Sequence, residues 1–311
     1  MDKKIELSTI EHIFSKGSLL PFWHAFREEN LSSHGWIFES SPWCGGPLLV
    51  ELCGLFAKEY LGHIFAHQDC ITIKAINQKT ISIQDIKEIL HRLANTPQQQ
   101  SYLVLIPNSE ELTLEASNTL LKYLEEPPAP TIFLMGTWST TLPLKTIRSR
   151  ASVITQNITK EELPKKETEL FLDTTTKEVQ NFLISKPELL FRLSHHSEKN
   201  IKEWVSLTDT LLNISEKTLK NPWTLFDMRK TFLPLMEEEV PFDPILPGPR
   251  ETFFLTFEHT LGTILRADPN NKNKALLQPL LELRSDLLSY RNKKISLLKF
   301  FQAIHPFAKH Q

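Results

Sequence analysis

Several absences narrow what this chain can be. Its 311 residues include only three cysteines, Cys44, Cys53 and Cys70, at spacings that form no C-x₂-C pair. A closed structural zinc site usually takes four ligands, so no metal is expected. No stretch approaches the ~18 apolar residues of a membrane span, and Met1-Asp2-Lys3-Lys4-Ile5-Glu6 has no apolar signal core. The expectation is a cytoplasmic protein with no membrane partner. A net charge of −2 and a pI near 6.6 leave no basic footprint for binding nucleic acid alone. No long repeat or low-complexity tract appears. What remains is ordinary globular composition, 41% apolar and 23% charged, in a chain long enough for two or three domains.

The most informative stretch runs from residue 102 to 151. Residues 102–106, Tyr-Leu-Val-Leu-Ile, read as a buried strand. After an acidic turn, residues 114–125 predict an amphipathic helix with Ala116, Leu120, Leu121 and Leu124 on one face. Thr113 is its expected N-cap, and Glu115 in the first turn complements the helix dipole. Pro127-Pro128 ends the helix. Residues 131–137 and 152–155 predict two further strands, the second preceded by Ile147-Arg148-Ser149-Arg150. Upstream, residues 8–32 suggest one or two helices, 36–38 a first strand and 70–76 a second. Ser82 opens a helix with Asp85 in a capping-box arrangement and Ile83, Ile86, Ile89, Leu90 and Leu93 facing inward. Strand and helix thus alternate from about residue 36 to 155, which predicts a doubly wound parallel α/β sheet with helices on both faces. Beyond residue 157 the pattern is helical, with segments at 204–219, 222–239, 251–266, 275–291 and 295–307. A proline-rich break, residues 241–249, divides them.

Glu115-Ala116-Ser117-Asn118-Thr119-Leu120-Leu121-Lys122-Tyr123-Leu124-Glu125-Glu126-Pro127-Pro128, then Thr131-Ile132-Phe133-Leu134, then Thr146-Ile147-Arg148-Ser149-Arg150 resemble the bacterial clamp-loader ATPases of the AAA+ superfamily. Those proteins write the region as EAxNALLKxLEEPP, TxFLL and TIRSRC. Trp36-Ile37-Phe38 after His34-Gly35, Leu55-Phe56-Ala57-Lys58 and the helix from Ile83 to Ile89 resemble the same family. The resemblance implies five strands in the AAA+ order, a small helical lid and an all-α oligomerisation collar. Applied to this chain, those parts would be residues 1–158, 159–204 and 205–311. The zinc module common in relatives cannot be built from three cysteines.

The nucleotide site departs from that pattern. A phosphate loop, G-x-x-x-x-G-K-[ST], uses glycine amides to cradle phosphate, lysine for the β/γ oxygens and a hydroxyl for magnesium. Here the loop contains Trp43-Cys44-Gly45-Gly46-Pro47, and no lysine lies between Lys16 and Lys58. Leu48 and Leu49 stand where lysine and hydroxyl belong, and Pro47 removes an amide donor. Gly45-Gly46 therefore reads as a flexible strand-to-helix turn. After residue 106, Pro107-Asn108 replaces the family's Asp-Glu, which holds magnesium and orients water. Glu110 and Glu111 read as solvated charges at a helix entry. Arg192 to Asn200 resembles the family's sensor-2 turn without its glycines or its arginine. Its His195 and His196 read as exposed loop residues. No cofactor is expected.

Arg150 is retained. The resemblance implies an arginine finger, which reaches the γ-phosphate of ATP on a neighbouring subunit and stabilises charge developing there, worth ~10³–10⁵ in rate. Guanidinium suits that role because its charge is permanent and its donors form a planar fork. Ser149 belongs to the same turn, Arg148 is expected to brace it, and Ala151 replaces the cysteine. The implied protein is a clamp-loader subunit without ATPase activity of its own. Its implied partners are a gamma/tau-type ATPase, the delta subunit and, through the complex, the sliding clamp and primer-template DNA. Two alternatives stay open: an active gamma/tau-type ATPase, and a helical interaction protein on an AAA+ fold.

Overall fold

A computed structural model describes residues 5–28, 30–41, 43–75, 80–138, 142–163, 175–195, 198–220, 247 and 249–267, with isolated helical positions beyond. The chain forms two compact units. One comprises Lys3–Leu170 with Lys186–Ser194, and the other Phe171–Ser185 with His195–Gln311 and the first two residues.

The first unit contains α1 (Leu7–Phe14), α2 (Leu19–Arg27), β1 (Gly35–Glu39), α3 (Gly46–Tyr60), β2 (Cys70–Thr72) and α4 (Ile83–Leu93). They are followed by β3 (Tyr102–Ile106), α5 (Leu114–Glu125), β4 (Thr131–Thr137), α6 (Leu142–Arg148) and β5 (Ser152–Thr155). The strands run parallel in the order β2-β3-β4-β1-β5. Five parallel strands in this order are what the resemblance implied.

Alternation along each strand sends successive side chains to opposite faces. Ile37, Val104, Ile106, Phe133 and Met135 meet Leu90, Leu93, Ala116, Leu120, Leu124 and Ile147 on one face. On the other, Phe38 joins an aromatic cluster from α1, α2 and α3, with Phe14 against Trp23 at 4.5 Å and Phe22 against Phe38 at 4.9 Å. Each fully buried Leu or Phe contributes ~1.5–3 kcal/mol, whereas strand propensity spans only ~1 kcal/mol. Burial on both faces is what holds the sheet.

The helix starts follow the expected chemistry. Thr113 Oγ1 accepts from the Ala116 amide at 3.2 Å, and Ser82 and Asp85 form the reciprocal capping box. Two elements differ from expectation. β2 stops at Thr72 rather than continuing to residue 76. The Ala75 amide instead donates to Glu111 Oε2 at 3.4 Å, outside the sheet. The segment before Ser149 is helical, α6, not a plain crossover; Pro143 near its start hides the pattern but suits a helical first turn.

The second unit contains α7 (Lys177–Ile184), a long helix, Glu198–Lys220, and the helix Pro249–Ala267. Phe182 stacks on Trp204 at 6.5 Å, and Trp204 Nε1 donates to the Pro247 carbonyl at 3.2 Å. The expected helices at 222–239, 275–291 and 295–307 lie outside the described residues, apart from isolated positions. No helix among the described residues is long and apolar enough to cross a membrane.

Candidate functional site

Strand β1 ends at Glu39, and its chain enters α3 through the loop that the phosphate-loop comparison singled out. Gly45 adopts φ +125° at the N-cap of α3, a conformation that L side chains rarely adopt. Trp43 has φ +60° and packs against Trp138 in a tilted pair with ring centroids 4.6 Å apart. Pro42 lies outside the described residues.

An anion at a helix N-terminus binds to free amides. Here the amides of Gly45 and Gly46 are engaged. The Gly46 amide donates to Ser40 Oγ at 2.8 Å, and the Gly45 amide donates to Glu188 Oε2 at 3.0 Å. Pro47 has no amide to give. Leu48 and Leu49 are fully buried in the core. At Gly136 of β4 an added Cβ would come within 2.3 Å of the Pro107 carbonyl and 2.7 Å of Pro47 Cα. The end of β3, the start of α3 and β4 therefore meet at backbone contact.

Glu188 comes from a short helix, α8 (Pro187–Ser194), that belongs to the same unit. Its amide donates to the Trp43 carbonyl at 3.0 Å. Arg192, one turn on, donates through Nη2 and Nε to Glu188 Oε1 at 2.7 and 3.0 Å. Its Nη1 pairs with Glu51 Oε2 of α3 at 2.9 Å. Lys74 pairs with the other oxygen of Glu51 at 2.7 Å. Two carboxylates and two cations thus close a neutral network. Glu188 is wholly buried and Arg192 only 4% exposed. Burial opposes the Glu51 charge, but Arg192 and Lys74 outweigh it and hold the carboxyl below its ordinary range. Burial pushes Glu188 up, against the pull of Arg192. The Arg192 guanidinium, raised by its two carboxylates despite burial, stays charged.

Glu110 is not the solvated charge expected from sequence. Its Oε1 accepts from Thr137 Oγ1 at 2.9 Å and from the Trp138 amide. Its Oε2 is buried with no partner among the described residues. Burial drives this carboxyl up to about 7, against those hydrogen bonds. Glu111 is half-buried too, accepting from Asn108 Nδ2 at 3.1 Å. Both acids face inward because the turn Ser109–Glu111 folds beneath the end of β4 rather than out from α5. His195 is likewise buried, at 3% exposure, because it directly follows a helix whose residues are buried all round. His196 lies outside the described residues.

The Arg150 turn lies at the far end of α6. Arg148 Nη1 binds Glu39 Oε2 at 2.6 Å and so braces the turn against β1. Ser149 Oγ donates to the Thr146 carbonyl at 2.7 Å and accepts from Arg150 Nη1 at 3.1 Å. Arg150 Nε pairs with Glu125 at the end of α5. The Arg150 side chain is 36% exposed and that of Glu125 50%, so in the isolated chain this arginine is a surface ion pair. No grouping of His, Cys, Asp and Glu able to hold a metal occurs among the described residues.

The sheet order and the motifs are those that the clamp-loader resemblance implies. Residues 63–159 match the family model described as DNA polymerase III, delta subunit. The chain is 35% identical over 92 residues to DNA polymerase III subunit delta' of Buchnera aphidicola subsp. Baizongia pistaciae, covering 29% of this chain and 27% of that protein. Against subunit delta' of Haemophilus influenzae it is 34% identical over 112 residues, 36% of this chain and 34% of the relative. A gamma subunit from Buchnera aphidicola subsp. Schizaphis graminum is 37% identical over 95 residues, 30% of this chain and 26% of that protein. The chain thus spans about a third or less of the length of the curated relatives it matches. Over the matched segment the chain is similar to delta prime subunits of DNA polymerase III.

Proposed function

We propose that this chain is a clamp-loader subunit of the delta prime kind, which hydrolyses no ATP itself and completes the ATP site of a neighbouring gamma/tau-type subunit with Arg150. The observation that carries this reading is the contrast between two places in one fold. The loop that would hold its own phosphates is filled by Glu188 and Pro47, and its metal-binding carboxylates are replaced by Pro107-Asn108. The Arg150 guanidinium, by contrast, stands at an exposed turn, held by one surface carboxylate and short-range contacts. An exposed ion pair is worth ~0.2–1 kcal/mol, so a phosphate from a partner would displace Glu125 at little cost.

In this role Ser149 positions the fork, Arg148 fixes the turn, residues 1–158 form the core, 159–204 a lid and 205–311 an oligomerisation collar. The sliding clamp and primer-template DNA are reached through the complex with gamma/tau-type and delta subunits, in the cytoplasm. The gamma relative favours a second reading, an active ATPase. Calorimetry with Mg-ATP separates the two: the isolated chain should give no measurable heat, and magnesium-dependent micromolar affinity would establish the motor reading instead.

A further inference from the structure

Helix α8 does more than cover the loop. Glu188 and Arg192 are four residues apart, so both side chains leave the helix on one face. That face addresses the start of α3: Glu188 takes the Gly45 amide, and Arg192 spans from Glu188 to Glu51. A carboxylate there is held by three charge-assisted or amide contacts, on Gly45 N, Arg192 Nε and Arg192 Nη2. One amide at a helix start plus a buried guanidinium is a donor set suited to a tetrahedral oxyanion. Replacing Glu188 with an apolar residue would take the partner from the Gly45 amide and from Nε and Nη2 of Arg192, while Nη1 keeps Glu51.

We propose that Glu188 is an internal ligand, a carboxylate that occupies the oxyanion position of the loop and clamps α8 to α3 through Arg192. The inference rests on reading this loop as a former phosphate loop, but its test is separate from ATP binding by the native chain. Closure then has two layers: the missing lysine and hydroxyl abolish nucleotide chemistry, and Glu188 excludes even a simple anion. Removing its side chain should uncover a site for inorganic phosphate, built from the Gly45 amide and Arg192.

The test is a phosphate titration of the full-length chain, wild type and E188A, followed by thermal unfolding and ³¹P line broadening, with chloride at matched ionic strength as control. E188A should lose stability in chloride and recover it in phosphate. Its apparent affinity should be about tenfold or more tighter than that of wild type, the scale of a charge-assisted hydrogen bond. Adding R192L to E188A should abolish the recovery. Equal phosphate responses in wild type and E188A, or a response that survives R192L, would overturn the proposal. If E188A is unfolded in chloride, regain of far-UV circular dichroism in phosphate becomes the readout, with E188S run alongside. Failure of both variants to regain structure would also overturn it.

Discussion

Arg150 leans on Glu125, the final residue of α5, and the pair lies half in solvent at the edge of the core. Such a contact sets the resting direction of a guanidinium without committing much energy to it. The finger reading depends on that looseness.

Glu125→Ala and Arg150→Ala should therefore both leave the fold intact. Each is expected to cost ~0.2–1 kcal/mol, seen as a small shift of the urea midpoint with an unchanged slope. A loss of several kcal/mol from either would make the pair structural.

The buried network should behave oppositely. Arg192→Ala leaves Glu51 and Glu188 without their shared cation and should cost ~3–5 kcal/mol. Lys74→Ala, removing a side chain that is 38% exposed, should cost ~1 kcal/mol or less. Denaturant unfolding of the two variants gives the comparison, and equal costs would mean that Arg192 is not the hub.

Glu110 predicts a pH dependence with a definite sign. Its folded pKa, about 7, lies above the ordinary 4.5. Its contribution is therefore fully present below about 4.5 and lost as pH rises through about 7. Glu111 and Glu188, also raised, tilt stability the same way, and Glu51, lowered, tilts it oppositely. The comparison with Glu110→Gln isolates one group. Wild-type stability minus that of the variant should fall by on the order of 2–3 kcal/mol between about pH 4 and about pH 8. A flat difference would show Glu110 to be solvated after all.

Much of the core was legible because local chemistry and burial agreed. Thr113 caps the helix whose apolar face it precedes, Ser82 and Asp85 close their box, and β3, β4 and β5 fall on the expected runs. The loop's missing lysine and its proline were legible too. What filled the loop was not. Glu188 meets Gly45 across 143 residues of sequence. The available signal was a Glu and an Arg at i,i+4 on an eight-residue helix, a pair ordinarily read as surface charge. Glu110 misled for a similar reason. Two adjacent glutamates before a helix suggest solvent, and only the fold of the Ser109–Glu111 turn draws both of them inward, Glu110 onto Thr137 and Glu111 onto Asn108.

The most direct test of the account is ATP turnover by clamp loader assembled with wild-type chain, Arg150→Ala or Arg150→Lys, matched in composition by gel filtration. Arg150→Ala should assemble normally and abolish DNA-stimulated hydrolysis at the single site this subunit completes. Total turnover should fall in part and clamp loading by more, because loading needs the sites to act together. Arg150→Lys should rescue little, since an ammonium keeps the charge without the planar fork. Wild-type rates of hydrolysis and clamp loading with Arg150→Ala would return this residue to an ordinary surface ion pair and contradict the proposed function.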